Sequence, residues 1–166
     1  MAAAAQTAGP GTTQQATNLP DIRYLTYERR RNLAMGPLLQ LTCGDAKFKI
    51  PYFLFRAASK HAPSVDTSDP ANPKYTIVSI HPGPISYIIE WLQKVVTEQR
   101  APHLTMIHDI TKDLAVIRAG KMLGFDVYVQ DVFNYYWRHF KKGKLTYSDI
   151  DVVLNLTMTK QDSFFV

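Results

Sequence analysis

The side chains that most often carry chemistry are present in this chain but scattered. Five histidines, His61, His81, His103, His108 and His139, fall in different segments, and no two have the i, i+4 spacing that sets paired ligands on one helix face. His103 and His108 stand five apart across a loop-to-helix boundary, where surface or capping roles are expected. Cys43 is the single cysteine. It sits inside an expected strand as a small buried hydrophobe, and alone it supports neither an internal disulfide nor a cysteine zinc cluster. No G-x-S-x-G elbow occurs, and no glycine loop of the phosphate-binding kinds. Gly143-Lys144 closes a helix, where the dipole has the wrong sign for phosphate. The carboxylates form no acid–base pair. A non-catalytic protein is therefore expected, with no metal and no cofactor.

What the chain does concentrate is aromatic and basic side chains. The stretch from Tyr128 to Phe140 holds Tyr128, Phe133, Tyr135, Tyr136, Trp137 and Phe140, more than one buried face requires. With Val129, Phe133, Tyr136 and Phe140 inward, Tyr128 and Tyr135 share another face with Asp131, Arg138 and Lys142. Tyrosine beside arginine suits a protein interface, because both bury area while keeping a polar handle. Tyr24, Tyr27 and Tyr52 form a second group, expected to be exposed and to serve self-association. The net charge of +5 gathers at Arg29-Arg30-Arg31 and at Arg138, Lys141, Lys142 and Lys144. Cations at a helix end complement its dipole, and the same clusters leave nucleic-acid association as an alternative.

The elements that must position these residues are legible in outline. Residues 1–20 lack charge and core formers and are expected to be a disordered tail. Residues 21–35 form a lead-in, strand or helix, that packs on the domain or on a partner. Leu39, Leu41 and Cys43 alternate, Gly44-Asp45-Ala46 turns, and Phe48 and Ile50 resume, which reads as a hairpin. Pro51 opens a short helix to Lys60, apolar through Phe53, Leu54 and Ala57. Tyr75–Ile80 reads as a third strand, apolar on both faces and hence central or well covered.

After Pro84 the period lengthens, and Ile85, Ile88, Ile89, Leu92, Val95 and Val96 make a helical stripe. Asp109 caps a helix to Leu123 that is apolar around most of its girth and belongs at the centre, with Gly124 as its stop. The aromatic helix begins at Asp126. Ser148-Asp149-Ile150-Asp151 reads as a capping box for a last helix, with Ile150, Val153, Leu154 and Thr157 on one side. Strands first and helices last mean an α+β fold, a small sheet of about three strands flanked by five or six helices.

These elements, taken in order, resemble the BTB/POZ superfamily, which includes the elongin C-like and F-box-adaptor branch. The motifs are Leu39-x-Leu41-x-Cys43-Gly44-Asp45-Ala46-x-Phe48-x-Ile50-Pro51-x-x-Leu54 with Ser59 after it, Tyr75–Ile80 followed by Ile85-x-x-Ile88-Ile89-x-Trp91-Leu92, Leu114-x-x-x-Arg118-Ala119-x-x-x-Leu123-Gly124-Phe125, and Lys142-Gly143-Lys144 before a capped helix. The aromatic-Tyr-Gly turn that many members carry is replaced by Val95 to Arg100, and the helices that clasp an F-box are not expected after Phe164-Phe165-Val166. The divergent BTB-like proteins of filamentous fungi are similar in character. The resemblance implies a BTB/POZ-like domain over residues 36–160, with 161–166 as a tail. It also implies docking to protein partners, either a second copy or a cullin-type scaffold in a ubiquitin-ligase adaptor role.

Composition agrees with that class. Hydrophobic residues make up 46% and charged residues 20%, as in ordinary globular domains. No apolar run is long enough to span a membrane, and no secretory leader is read at the N-terminus. A nuclear or cytoplasmic location is expected.

Overall fold

The computed structural model describes residues 20–78, 80–143 and 146–156. The expected tails (1–20 apart from Pro20, and 161–166), Lys144 of the basic cluster and Thr157 of the last helix lie outside the described residues. Among the described residues the architecture is α+β, with six α-helices and a three-stranded mixed sheet.

Strands β1 (Leu38–Cys43) and β2 (Ala46–Pro51) form the expected hairpin, in register from Leu38 opposite Pro51 to Cys43 opposite Ala46. Leu39, Leu41, Cys43 and Ile50 face the core, because side chains alternate across a strand and one face is covered. The third strand differs from expectation. It spans Lys74–Ile77 and pairs parallel with β1 at the sheet edge, so β1 is the central strand. Val78 lies beyond β3 and is 69% exposed. A run of β-branched residues marks a strand but does not tell a doubly covered one from one that emerges into solvent.

Before the sheet, a 3-10 turn (Ile22–Tyr24) leads into α1 (Tyr27–Leu33), whose N-cap Thr26 accepts the Arg29 N–H. Helix α2 (Tyr52–Ala58) follows β2 directly. It buries Leu54, Phe55 and Ala58, whereas Phe53, expected inside, is 41% exposed. With three aromatics in its first four positions, two stripes are equally apolar. Packing against Phe125 and Tyr75 selects the one through Phe55.

Helix α3 (Pro82–Thr97) begins earlier than its apolar stripe, because the His81 ring accepts the Gly83 N–H as N-cap and proline is tolerated in a first turn. Helix α4 (Ile110–Met122), capped by Asp109, packs on α3, on α5 (Asp126–Lys141) and on α6 (Tyr147–Leu156). It is central, as its all-round apolarity requires. Gly120 lies against Val129 where a β-carbon would collide, so α4 and α5 approach closely. Gly124, at φ +73°, supplies the left-handed residue that ends α4.

The capping box of α6 falls two residues before its expected place. Thr146 and Asp149 exchange side-chain and backbone hydrogen bonds at 2.9 and 3.2 Å, so Thr146 is the hydroxyl and Asp149 the carboxylate. Val152 and Val153 pack on the core, while Ile150 and Leu154 are exposed. The helix therefore turns its Val152–Val153 side inward, so that of the expected stripe Val153 packs on the core while Ile150 and Leu154 face outward.

Candidate protein-interaction surface

The lead-in is tied to the domain at two points. Ile22 is fully buried, and its N–H donates to the Tyr128 hydroxyl at 3.2 Å. Arg30, 3% exposed, donates from Nε to the Val95 carbonyl at 2.7 Å, from Nη1 to the Leu25 carbonyl, and from Nη2 to the carbonyls of Glu98 and Gln99 at 2.8 and 2.9 Å. Those oxygens include the end of α3, where carbonyls have no partner in the helix. A rigid five-donor fork meets four of them at once. Of the arginine triplet, only Arg29 and Arg31 are left on the surface.

Tyr128 accordingly leaves the expected surface. It is 4% exposed, its ring lies 5.1 Å from Trp91 and 6.0 Å from Phe125, and burial raises its phenol above the ordinary tyrosine range. The α5 face that contains it is covered by α3 and the lead-in. Asp131, Tyr135 and Arg138 remain exposed. Tyr135 packs edge-on against Tyr136, and Arg138 Nε donates to the Asn134 carbonyl.

The lead-in meets α5 at Asp131, through Arg23 and not through the tyrosines of the lead-in group. The Asp131 carboxylate lies 3.2 Å from the His103 ring and 3.7 Å from Arg23, whose guanidinium also holds Asp21 at 2.7 Å and covers the Tyr128 ring. Burial works to raise the Asp21 carboxyl, but the hydrogen bonds from Arg23 outweigh it and hold it below the usual carboxylate range. Tyr24 points away and is 80% exposed. Tyr27 and Tyr52, expected to be exposed, are half-buried, Tyr27 with the guanidiniums of Arg30 and Arg31 near its ring. Each covers its own chain with its apolar body and keeps a polar tip outside.

An apolar corner has formed elsewhere, where α1, β1 and α2 converge. Met35, just beyond α1, is 59% exposed, Leu38 at the start of β1 is 44% exposed, and Phe53 of α2 presents its ring. The elements are locked together there. The Phe53 ring lies against Gly36, at φ +108°, so closely that any β-carbon would clash, and the Tyr52 N–H donates to the Pro37 carbonyl at 3.0 Å. Leu38 faces out because it alternates out of phase with Leu39 and Leu41. Phe53 is brought against Gly36, between Met35 and Leu38, by tertiary contact.

Beside this corner, α2 carries a second surface. Tyr52 and Arg56 of this helix, with Lys60 just beyond its end, line a cavity of about 440 Å³. Ser59, between them, is buried and donates its hydroxyl to the Leu123 carbonyl while accepting the His61 N–H. It anchors the end of α2 to the end of α4.

Among the described residues, no three His, Cys, Asp or Glu side chains are grouped to hold a metal, and no helix is long and apolar enough to cross a membrane. In comparisons with known proteins, no family model matches the chain, and no curated protein matches its sequence.

Proposed function

We propose that this chain is a non-catalytic protein–protein interaction module of the BTB/POZ type that self-associates through the corner of Met35, Leu38 and Phe53. The observation that carries the reading is the convergence of three large exposed apolar side chains from three rigidly joined elements. Apolar surface of that kind, preorganised and rimmed by polar residues, marks docking sites more often than isolated exposed hydrophobes do. The order of strands and helices supports the BTB/POZ type. The cullin-scaffold variant rests on Asp131, Tyr135 and Arg138 of α5, without Tyr128.

Removing residues before Gly36 is a poor test, since it would take Ile22 and Arg30 out of the core. A point change is cleaner. Sedimentation of the full chain should show a dimer that Phe53→Glu weakens by about a hundredfold in dissociation constant, the effect of burying a charge at an interface centre. A wild-type chain that stays monomeric, or a dimer indifferent to Phe53→Glu, rules this surface out.

A further inference from the structure

The cavity beside α2 has a composition that the apolar corner does not explain. One wall is the side of α2 bearing Tyr52 and Arg56, with Lys60 just beyond its end, and the other is the descending chain with Pro63, Val65 and Thr67. Its volume, about 440 Å³, lies within the range of about 300–1,000 Å³ typical of sites that enclose a small ligand. The charges are of one sign. Arg56 makes no ion pair among the described residues, and Lys60 meets Asp126 at 2.9 Å while remaining half exposed.

The carboxylates of the facing loop are turned into that loop. Asp66 accepts the Ser68 N–H and hydroxyl, and Asp69 accepts from Ala71 and Asn72. The negative end of α2 accounts for Arg56 in its last turn, but not for a second cation beyond it or for a walled cleft in front of both. The floor is apolar at Val65, which is buried, with Pro63 and the Tyr52 ring beside it.

We propose that this cleft binds an acidic–apolar peptide segment of a partner protein, with a Glu or Asp carboxylate between Arg56 and Lys60 and the adjoining aliphatic side chain against Tyr52, Pro63 and Val65. Arginine offers a carboxylate two parallel N–H donors, and Lys60 is held near the same point by Asp126. A free inorganic anion would use only the cationic half. The inference does not depend on self-association, because Phe53 is not part of the cleft.

The test titrates the full 15N-labelled chain with the capped tripeptide acetyl-Leu-Glu-Leu-amide, followed by amide shifts. The expected result is saturable binding with shifts centred on residues 52–67. Binding should weaken by about tenfold, equivalent to about 1.4 kcal/mol, with Arg56→Gln, and by a similar factor when Gln replaces Glu in the peptide. Phe53→Glu should leave it unchanged. No saturable binding, equal binding of the Gln peptide, shifts centred elsewhere, or inorganic phosphate binding as tightly as the peptide would each overturn the proposal. Arg56 is exposed, so an unaltered thermal midpoint is expected and shows that the variant is folded.

Discussion

Two buried charges hold opposite ends of the segment that links α3 to α4, and they do so by opposite means. At its start Arg30 gathers the carbonyls of Val95, Glu98 and Gln99. At its end Asp113, 1% exposed, accepts the N–H groups of Ile107 and His108 at 2.8 and 3.0 Å and the Tyr136 hydroxyl at 2.8 Å. A helix finishes with unpaired carbonyls and begins with unpaired N–H groups. A cation therefore serves the end of α3 and an anion serves the approach to α4. Neither charge has an oppositely charged side chain among the hydrogen bonds described; peptide dipoles do the neutralising. His108 takes φ +63°, unusual for a side chain other than glycine and unfavourable by about 1 kcal/mol. The conformation accompanies the delivery of two successive amides to one carboxylate. Both charges fix backbone, and the lead-in carrying Arg30 is as structural as the helix carrying Asp113.

The sharpest way to break this parity is Arg30→Met, which leaves several carbonyls without donors and is expected to lower stability by about 3 kcal/mol in urea unfolding. Arg30→Lys should recover only part of that loss, since one ammonium does not span four acceptors. Full recovery would mean that charge alone matters. Asp113→Asn is expected to lower stability by about 2 kcal/mol, because an amide offers one acceptor oxygen to three donors. In the double variant the losses should fall short of the sum by about 1 kcal/mol if residues 98–109 order as one unit. Strict additivity would show the two ends to be independent.

The smallest effect is on pH dependence. Burial first, and then the hydrogen bond to Asp113, raise the Tyr136 phenol well above its ordinary value of about 10. Once the solution passes that ordinary value, the unfolded chain loses a proton that the folded chain keeps. The contribution to stability is thus full below about pH 10 and declines as pH rises beyond it. Tyr128 and Tyr75, raised by burial, act in the same direction. Urea midpoints measured between neutral pH and about pH 11 should fall, and less steeply in Tyr136→Phe. An equal slope in that variant would remove Tyr136 as a source.

Much of this fold is legible along the chain, and the misreadings have a common cause. The hairpin alternation, the α3 stripe, the Asp109 cap and the Gly124 stop are signals local to a few residues, and the structure carries each of them. The choice between Phe53 and Phe55 is not local, nor is the burial of Tyr128 or the edge position of β3. Each depends on what another element places against it: Phe125 against Phe55, Ile22 and Trp91 against Tyr128, and solvent beyond β3. For the candidate surfaces the same division holds. Tyr24, Asp131, Tyr135 and Arg138 lie outside as their types indicated. The apolar corner was hidden because Phe53 reaches Gly36 from another element, and the cationic cleft because the chain after α2 must fold back along it.

The α+β class was readable from the chain alone, because periodicity records which side of each element avoids water. The chain also determined where most helices start and stop, because caps and left-handed glycines act within a single turn. Only the tertiary structure decided which charged and aromatic side chains are spent inside. Arg30 and Arg31 are chemically identical neighbours, yet one is enclosed by four carbonyls and the other faces solvent. Their fates separate because helix geometry turns successive residues by about 100°, and only one of the two directions meets the unpaired end of α3.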